Sequence, residues 1–107
     1  MKRVVVESPY AGDVLANIAY ARLALADSLA RGEAPIAAHL LHTQVLDDED
    51  LDQRARGIRA GLRWIEVADL VAVYQDHGVS PGMEAALQWA RECGVPVEFR
   101  RLERGSG

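Results

Sequence analysis

The segment "DHGVSPGME", residues 76–84, holds the residues of this chain whose types and spacing most clearly suggest chemistry. Ser80 is a good N-cap residue, and Pro81 suits the first position of a helix. Backbone N–H groups at a helix start have no partner within the helix, so they can bind an anion or a sugar oxygen. We therefore predict that Ser80, Gly82 and Met83 bind a ligand at the start of a helix.

Glu84 is the acid nearest to this helix start. At helical spacing it aligns with Gln88 and Arg91, which favours an exposed polar stripe. Met83 and Ala86 fall on the apolar face instead. A residue in the first turn can still lean across the mouth of a cleft, so the sequence leaves both interpretations of Glu84 open.

A second candidate is the turn "ESPYAGD", residues 7–13, which follows a short apolar run and precedes a helix. Backbone N–H groups in such a turn can hold an anion or a sugar oxygen. Ser8, Pro9, Tyr10 and Gly12 are therefore predicted to bind ligand. The alternative is a structural turn in which Pro9 and Gly12 only set the backbone geometry, and the two interpretations carry equal weight.

His39 and His42 form the third candidate group. Two histidines do not define a metal site without a third ligand, and none lies at a characteristic spacing. We predict that one histidine, His39, points into a cleft while the other stabilises its loop. Zinc is the minor alternative, and the prediction is that the chain binds no metal and no cofactor.

Alternating strand and helix patterns must position these residues. Apolar, mostly β-branched runs predict strands at residues 4–6, 70–75 and 95–101, and "APIAAHLL", residues 34–41, predicts another. A helix is predicted after Asp13, and its apolar face would include Val14, Ile18, Leu25 and Leu29. Further helices are predicted after the acids of residues 47–52 and at Pro81. This order predicts an α/β fold with a mostly parallel sheet of about 4–5 strands and helices on both faces.

The three polar segments all follow predicted strands. Parallel sheets bind ligands beyond the carboxyl ends of their strands. The turns after residues 6 and 75, together with the histidine segment, should therefore converge on one edge of the sheet. This convergence is the main argument from the residues themselves for a binding site.

Length and composition limit the alternatives. At 107 residues the chain fits one domain, which we predict over residues 1–101, with 102–107 as a disordered tail. A formal charge of −4 disfavours a nucleic-acid surface. A single cysteine excludes an internal disulfide, and no apolar run is long enough for a signal peptide or a membrane span. A cytoplasmic protein is the expectation.

Three segments together resemble one known family. "VVESPYAGD", "PIAAHLLHTQVLDDED" and "ADLVAVYQDHGVSPGMEAALQWARECGVPV" occur in this order and span nearly the whole chain. They resemble the nucleoside 2-deoxyribosyltransferase superfamily, especially its small phage and bacterial members and the 2′-deoxynucleoside 5′-phosphate N-hydrolases. The resemblance implies a Rossmann-like three-layer sandwich that forms homodimers or larger homo-oligomers. It also implies that the protein cleaves or transfers the N-glycosidic bond of deoxynucleosides or their 5′-monophosphates.

The resemblance also implies roles for particular residues. The first turn, with Ser8 and Tyr10, would contact the ligand, and Ser80 matches a serine that helps to hold a 5′-phosphate. The nucleophilic glutamate of the family would lie four residues after Gly82, where this chain has Ala86. Glu84 is a poor substitute, because two residues along a helix turn a side chain by about 200°.

Two hypotheses follow from this departure. In the first, the protein is an active N-glycosidase or deoxyribosyltransferase in which Glu84, Asp69 or Asp76 replaces the usual nucleophile and attacks the anomeric carbon. In the second, the protein is a catalytically degenerate nucleotide-binding or interaction module, and Ala86 explains the lack of bond cleavage. A structural oligomer with a vestigial cleft is the weaker third possibility. Fold alone does not decide between them.

Overall fold

A computed structural model describes residues 1–103 of the chain. Strands and helices alternate along the described part. The elements in chain order are β1 (Arg3–Glu7), α1 (Val14–Ala30), β2 (Ala34–Ile36), α2 (Ala38–His42), α3 (Leu51–Ile65), β3 (Leu70–Tyr74), α4 (Pro81–Glu92) and β4 (Val97–Arg100). No helix within residues 1–103 has both the length and the apolar character needed to span a membrane.

The four strands form one parallel sheet in the order β2-β1-β3-β4. The predicted α/β class and the mostly parallel sheet are confirmed. β1 and β3 are the two central strands, and their β-branched residues are buried on both faces, as a covered parallel sheet requires. Because all four strands run the same way, their carboxyl ends lie along one edge of the sheet.

Alternate residues of the central strands face two separate apolar layers. Val4 and Val6 pack with Tyr20 and Ala24 of α1, and we call this side the α1 face. Val5 packs with Ile65 of α3 and with four buried residues of α4, and we call this side the α4 face. The same alternation continues in β3, where Val71 and Val73 belong to the α4 face and Ala72 and Tyr74 to the α1 face.

Predicted capping residues set the ends of two helices. The backbone N–H of Ala16 donates to Asp13 at the start of α1, and that of Met83 donates to Ser80 Oγ at the start of α4. Gly32 and Gly94 follow α1 and α4 with φ of 79° and 71°. This left-handed backbone conformation stops a helix and favours glycine.

Two details of the predicted elements are wrong. The strand predicted over residues 34–41 ends at Ile36, and Ala38–His42 is the short helix α2, in keeping with the higher helix propensity of its alanine and leucines. The apolar face of α1 also differs in part from the prediction. Its buried residues are Tyr20, Ala21, Ala24 and Ser28. Leu25 packs against the core while partly buried, whereas Leu29 is 60% exposed.

The predicted tail falls largely outside the described part of the chain. Residues 104–107 are not described, and the prediction of disorder there stays a prediction. The first two tail residues make specific contacts, since the backbone N–H groups of Leu102 and Glu103 donate to the carboxylate of Asp76 at 2.8 and 2.9 Å.

Candidate functional site

A pocket lies at the carboxyl ends of β1 and β3, between α2, α3 and the start of α4. Its wall includes six of the eight residues predicted to bind ligand: Ser8, Tyr10, His39, Ser80, Gly82 and Met83. The three polar segments therefore meet at one edge of the sheet, as predicted from the parallel direction of the strands. Whether these residues bind a ligand stays a prediction.

Pro9 and Gly12 do not line the pocket. Gly12 adopts a φ of 98°, a backbone conformation that L side chains rarely adopt. It lies just before Asp13, the N-cap of α1. Gly12 therefore allows the backbone to turn into α1.

None of the three acids predicted to be catalytic lines the pocket. Asp69 precedes β3, at the amino end of the sheet, where it accepts a hydrogen bond from the backbone N–H of Arg3 at 2.8 Å. Asp76 accepts hydrogen bonds from the Tyr20 hydroxyl and from two backbone N–H groups after β4. These bonds hold the pKa of Asp76 at about 2, against its desolvation. Glu84 is exposed on the outer side of α4.

Both histidines line the pocket, and each forms a contact with a different neighbouring element. His39 Nε2 shares a hydrogen bond of 2.8 Å with Ser8 Oγ, and this contact joins α2 to the turn after β1. Burial lowers the pKa of His39 to about 4, so its imidazole is neutral at pH 7. His42 Nδ1 lies 3.3 Å from the carbonyl oxygen of Gly57 and ties α2 to α3.

Two glycines on α3 allow α2 to lie close to the pocket. A Cβ atom at Gly61 would lie 3.4 Å from Ala38 Cβ, and one at Gly57 would lie 3.8 Å from His42 Cβ and 3.2 Å from Cδ1 of Leu46, in the turn after α2. Gly57 and Gly61 are four residues apart and share one face of α3. Sequence reasoning missed this pair, although the i, i+4 spacing of glycines within a helix was the available signal.

The start of α4 forms the opposite side of the pocket. Ser80 Oγ accepts from the backbone N–H of Met83 at 3.3 Å. Gly82 lines the pocket, and a Cβ atom there would meet only Ser80 Oγ, at 4.0 Å. Ala86, one turn further, also lines the pocket, and its methyl group is buried. The position that the resemblance assigns to a nucleophile thus reaches the pocket but carries no oxygen.

Glu7 is an acidic pocket residue that was not predicted from the sequence to belong to the site. It ends β1, directly before Ser8, and its side chain lines the pocket. Burial raises the pKa of Glu7 from 4.5 to about 8, because a desolvated carboxylate is less stable than the neutral acid. Its position at the carboxyl end of a central strand was a signal that could have found it.

A metal site has no support in the described residues. No group of three or more histidine, cysteine, aspartate or glutamate side chains within residues 1–103 is placed to hold an ion. Asp48, the second acid of the pocket wall, lies 4.0 Å from Nε of Arg54. Asp48 therefore has a guanidinium group, and not another metal-ligating side chain, as its ion-pair partner.

Sequence comparison identifies a family for nearly the whole chain. Residues 2–100 match the profile described as "Domain of unknown function (DUF7768)". No curated protein matches the sequence.

Solved structures with the same fold include enzymes of nucleoside chemistry. A 2-deoxyribosyltransferase from Bacillus psychrosaccharolyticus superposes with a TM-score of 0.67 at 18% identity, over 92% of this chain and 72% of that one. For the CMP N-glycosidase BcmB from Clostridium botulinum the TM-score is 0.58 at 18% identity, over 97% and 72%. A 2-desoxiribosyltransferase from Leishmania mexicana gives 0.61 at 15% identity, over 96% and 66%. At these identities the likeness establishes the fold, and the fold expectation of the sequence analysis is confirmed.

Proposed function

The chain belongs to the DUF7768 family, and we propose that its pocket binds a deoxynucleoside or a deoxynucleoside 5′-monophosphate and hydrolyses or transfers its N-glycosidic bond. The observation that carries the proposal is the meeting of Ser8, Tyr10, His39 and Ser80 around one pocket at the carboxyl edge of the sheet. The fold likeness to two deoxyribosyltransferases and a CMP N-glycosidase supports the same ligand class.

The start of α4 suits the phosphate of such a ligand. Gly82 follows the N-cap Ser80, and its backbone N–H lies in the first turn, where the helix leaves donors free. The partial positive charge of a helix N-terminus favours a phosphate in this position. The neutral imidazole of His39 and the hydroxyl of Tyr10 offer hydrogen-bonding groups for a sugar or a base on the opposite side.

A thermal shift experiment tests binding at this pocket. Deoxynucleosides, their 5′-monophosphates and inorganic phosphate are added separately to the protein, and the melting temperature is followed. A ligand at 100 times its Kd stabilises the native state by about 2.7 kcal/mol. We expect at least one deoxynucleoside 5′-monophosphate to raise the melting temperature, and inorganic phosphate alone to do so far less.

A variant pair localises that binding. Gly82→Leu adds a bulky side chain at a residue that lines the pocket, where a Cβ atom would meet only Ser80 Oγ, at 4.0 Å. Ala85→Leu adds a similar side chain to the exposed side of the same helix. We expect Gly82→Leu to lose the nucleotide-induced shift and Ala85→Leu to keep it. Equal shifts in both variants, or no shift in the original protein, would refute the proposal.

Ala86 favours a second candidate function, a binding module that does not cleave its ligand. The resemblance expects a nucleophilic glutamate at this position, and the methyl group of Ala86 lines the pocket instead. In this case nucleotides stabilise the protein without release of free base. Ala86→Glu then tests whether the rest of the pocket is competent, because gained base release would require correctly placed binding groups.

Assembly and location are further parts of the proposal. We expect a homodimer or a larger homo-oligomer in the cytoplasm, without nucleic-acid partners. The resemblance to the deoxyribosyltransferase superfamily is the basis of this expectation. Light scattering after size-exclusion chromatography measures the mass in solution, and a monomer at micromolar concentration would contradict this part.

A further inference from the structure

We propose that Glu7 is the catalytic acid of this pocket, and that its carboxyl group gives a proton to the leaving nucleobase of a bound deoxynucleoside or deoxynucleoside 5′-monophosphate. This inference rests on the proposed function and adds the residue and the chemistry that would replace the missing nucleophile. Three features of the structure carry it.

The first feature is the sheet face on which Glu7 lies. Side chains alternate along a strand, so Glu7 shares a face with Val5 two residues earlier. Val5 packs on the α4 face, and Glu7 pairs in register with Val73 of the same face. Glu7 therefore extends the apolar layer formed by the sheet and α4, and its carboxyl group comes at the end of that layer, where the pocket begins.

The second feature is the small residue across the pocket. Met83 and Ala86 of α4 pack in the same layer as Val5 and Val73, and both also line the pocket. A glutamate at position 86 would bring a second carboxyl group toward Glu7, and two such groups at close range cannot both ionise readily. The alanine leaves this space to the ligand and leaves Glu7 as the acid on this side of the pocket.

The third feature is the neighbourhood of the carboxyl group. Among residues 1–103 burial is the one cause that shifts the Glu7 pKa, and no cation lowers it. The other titratable or charged side chains of the pocket wall are Tyr10 from the first turn, His39 and His42 from α2, Asp48 from the loop before α3, and Arg54 from α3. From α4, none is present. With a pKa of about 8, Glu7 is largely protonated at pH 7, which is the form that a general acid needs.

The reaction balances with Glu7 and water alone. As the bond between C1′ and the base nitrogen breaks, its electron pair leaves with the base, and the Glu7 proton passes to the base. A water molecule then adds to C1′, and its proton returns to the Glu7 carboxylate. The products are the free base and the deoxyribose or its 5′-phosphate, and Glu7 is protonated again. Because water itself forms the new bond to C1′, no covalent sugar intermediate is required.

Glu7→Gln tests this role, because glutamine keeps the shape of the side chain and cannot donate an acidic proton. Purified protein is incubated with deoxyadenosine, deoxycytidine, deoxyguanosine, thymidine and their 5′-monophosphates, and free base is measured by chromatography. We expect the unmodified protein to release base from at least one of them, and Glu7→Gln to lower kcat by about 100-fold or more. The nucleotide-induced thermal shift should persist in the variant.

Controls separate this inference from the function on which it rests. Glu92→Gln, an equivalent change on the exposed last turn of α4, should release base at the original rate. Base release should also fall as the pH rises above about 8, where the acid loses its proton. A Glu7→Gln variant with undiminished kcat, or a rate that rises through this pH range, would overturn the role of Glu7. Nucleotide binding without any base release would also overturn it while leaving binding intact, whereas absent binding would reject the proposed function itself.

Discussion

Replacing Glu7 by glutamine should make the protein more stable at neutral pH. The pKa of Glu7 is about 8 in the folded protein and 4.5 in the absence of burial, so folding favours the protonated acid. As the pH rises from 4.5, the unfolded chain gives up this proton first, and the free energy of unfolding falls until the folded pKa is passed. Glutamine is neutral at every pH and avoids this loss.

The size of the effect follows from the two pKa values. At pH 7 the cost of holding Glu7 protonated is about 3 kcal/mol, at 1.36 kcal/mol for each pH unit between 4.5 and 7. The cost should disappear near pH 4 and reach about 5 kcal/mol by pH 9. Glu7 keeps some exposure to the pocket, which makes these values upper bounds. The direction of the change with pH is therefore the decisive part.

Urea unfolding of both proteins at pH 4, 7 and 9 measures this difference directly. We expect Glu7→Gln to match the original protein at pH 4 and to exceed it increasingly at pH 7 and 9. Glu92→Gln is the matched control, and an exposed substitution of this kind changes stability by no more than about 0.5 kcal/mol. A Glu7→Gln variant that is less stable at pH 7, or a difference that does not vary with pH, would refute the reasoning. A gain in stability with a loss of activity is typical of a functional residue.

Three further predictions concern an ion pair, a helix cap and a contact between two helices. Arg100 donates two hydrogen bonds of 2.7 Å to Glu33, and this pairing lowers the pKa of Glu33 from 4.5 to about 2. Glu33→Gln should therefore cost about 3 kcal/mol at pH 7 in urea unfolding, with the loss shrinking as the pH falls from 4.5 toward 2; an equal loss at pH 7 and 2 would contradict this. Ser80→Ala removes the N-cap of α4 and should lower the free energy of unfolding by about 1 kcal/mol. An unchanged melting temperature would show that the cap does not stabilise the protein. Gly61→Val should cost about 1–3 kcal/mol and weaken nucleotide binding, because a Cβ atom there would lie 3.4 Å from Ala38 Cβ and the two further methyl groups of valine would push α2 away. An unchanged affinity in a calorimetric titration would contradict this prediction.

Much of the fold could be predicted because local signals and the fold agree. The valines predicted to form strands lie in β1 and β3. The predicted capping residues Asp13 and Ser80 begin α1 and α4. The error at residues 34–41 has both a local and a tertiary cause. An apolar run of this length fits a strand or a helix equally well, and the two glycines of α3 make room for the helix.

The candidate site was harder to predict from the sequence. The convergence of three polar segments follows from strand direction alone, so the sequence could predict that Ser8, His39 and Ser80 line one pocket. The positions of Asp69 and Asp76 could not be predicted, because the sequence does not show which distant groups will form hydrogen bonds with a carboxylate. Asp76 forms its hydrogen bonds with Tyr20 and with the residues after β4, which only the folded chain brings together.

Amide chemical shifts test the central claim, that the pocket at the carboxyl edge of β1 and β3 binds a deoxynucleoside 5′-monophosphate. The ¹⁵N-labelled protein is titrated with each of the four monophosphates in turn. We predict saturable shifts that are largest for the amides of Ser8, Tyr10, Gly82 and Met83 around the pocket. Asp69, at the opposite edge of the sheet, should not move. Saturable shifts centred near Asp69, or no saturable shifts with any of the four, would contradict the account.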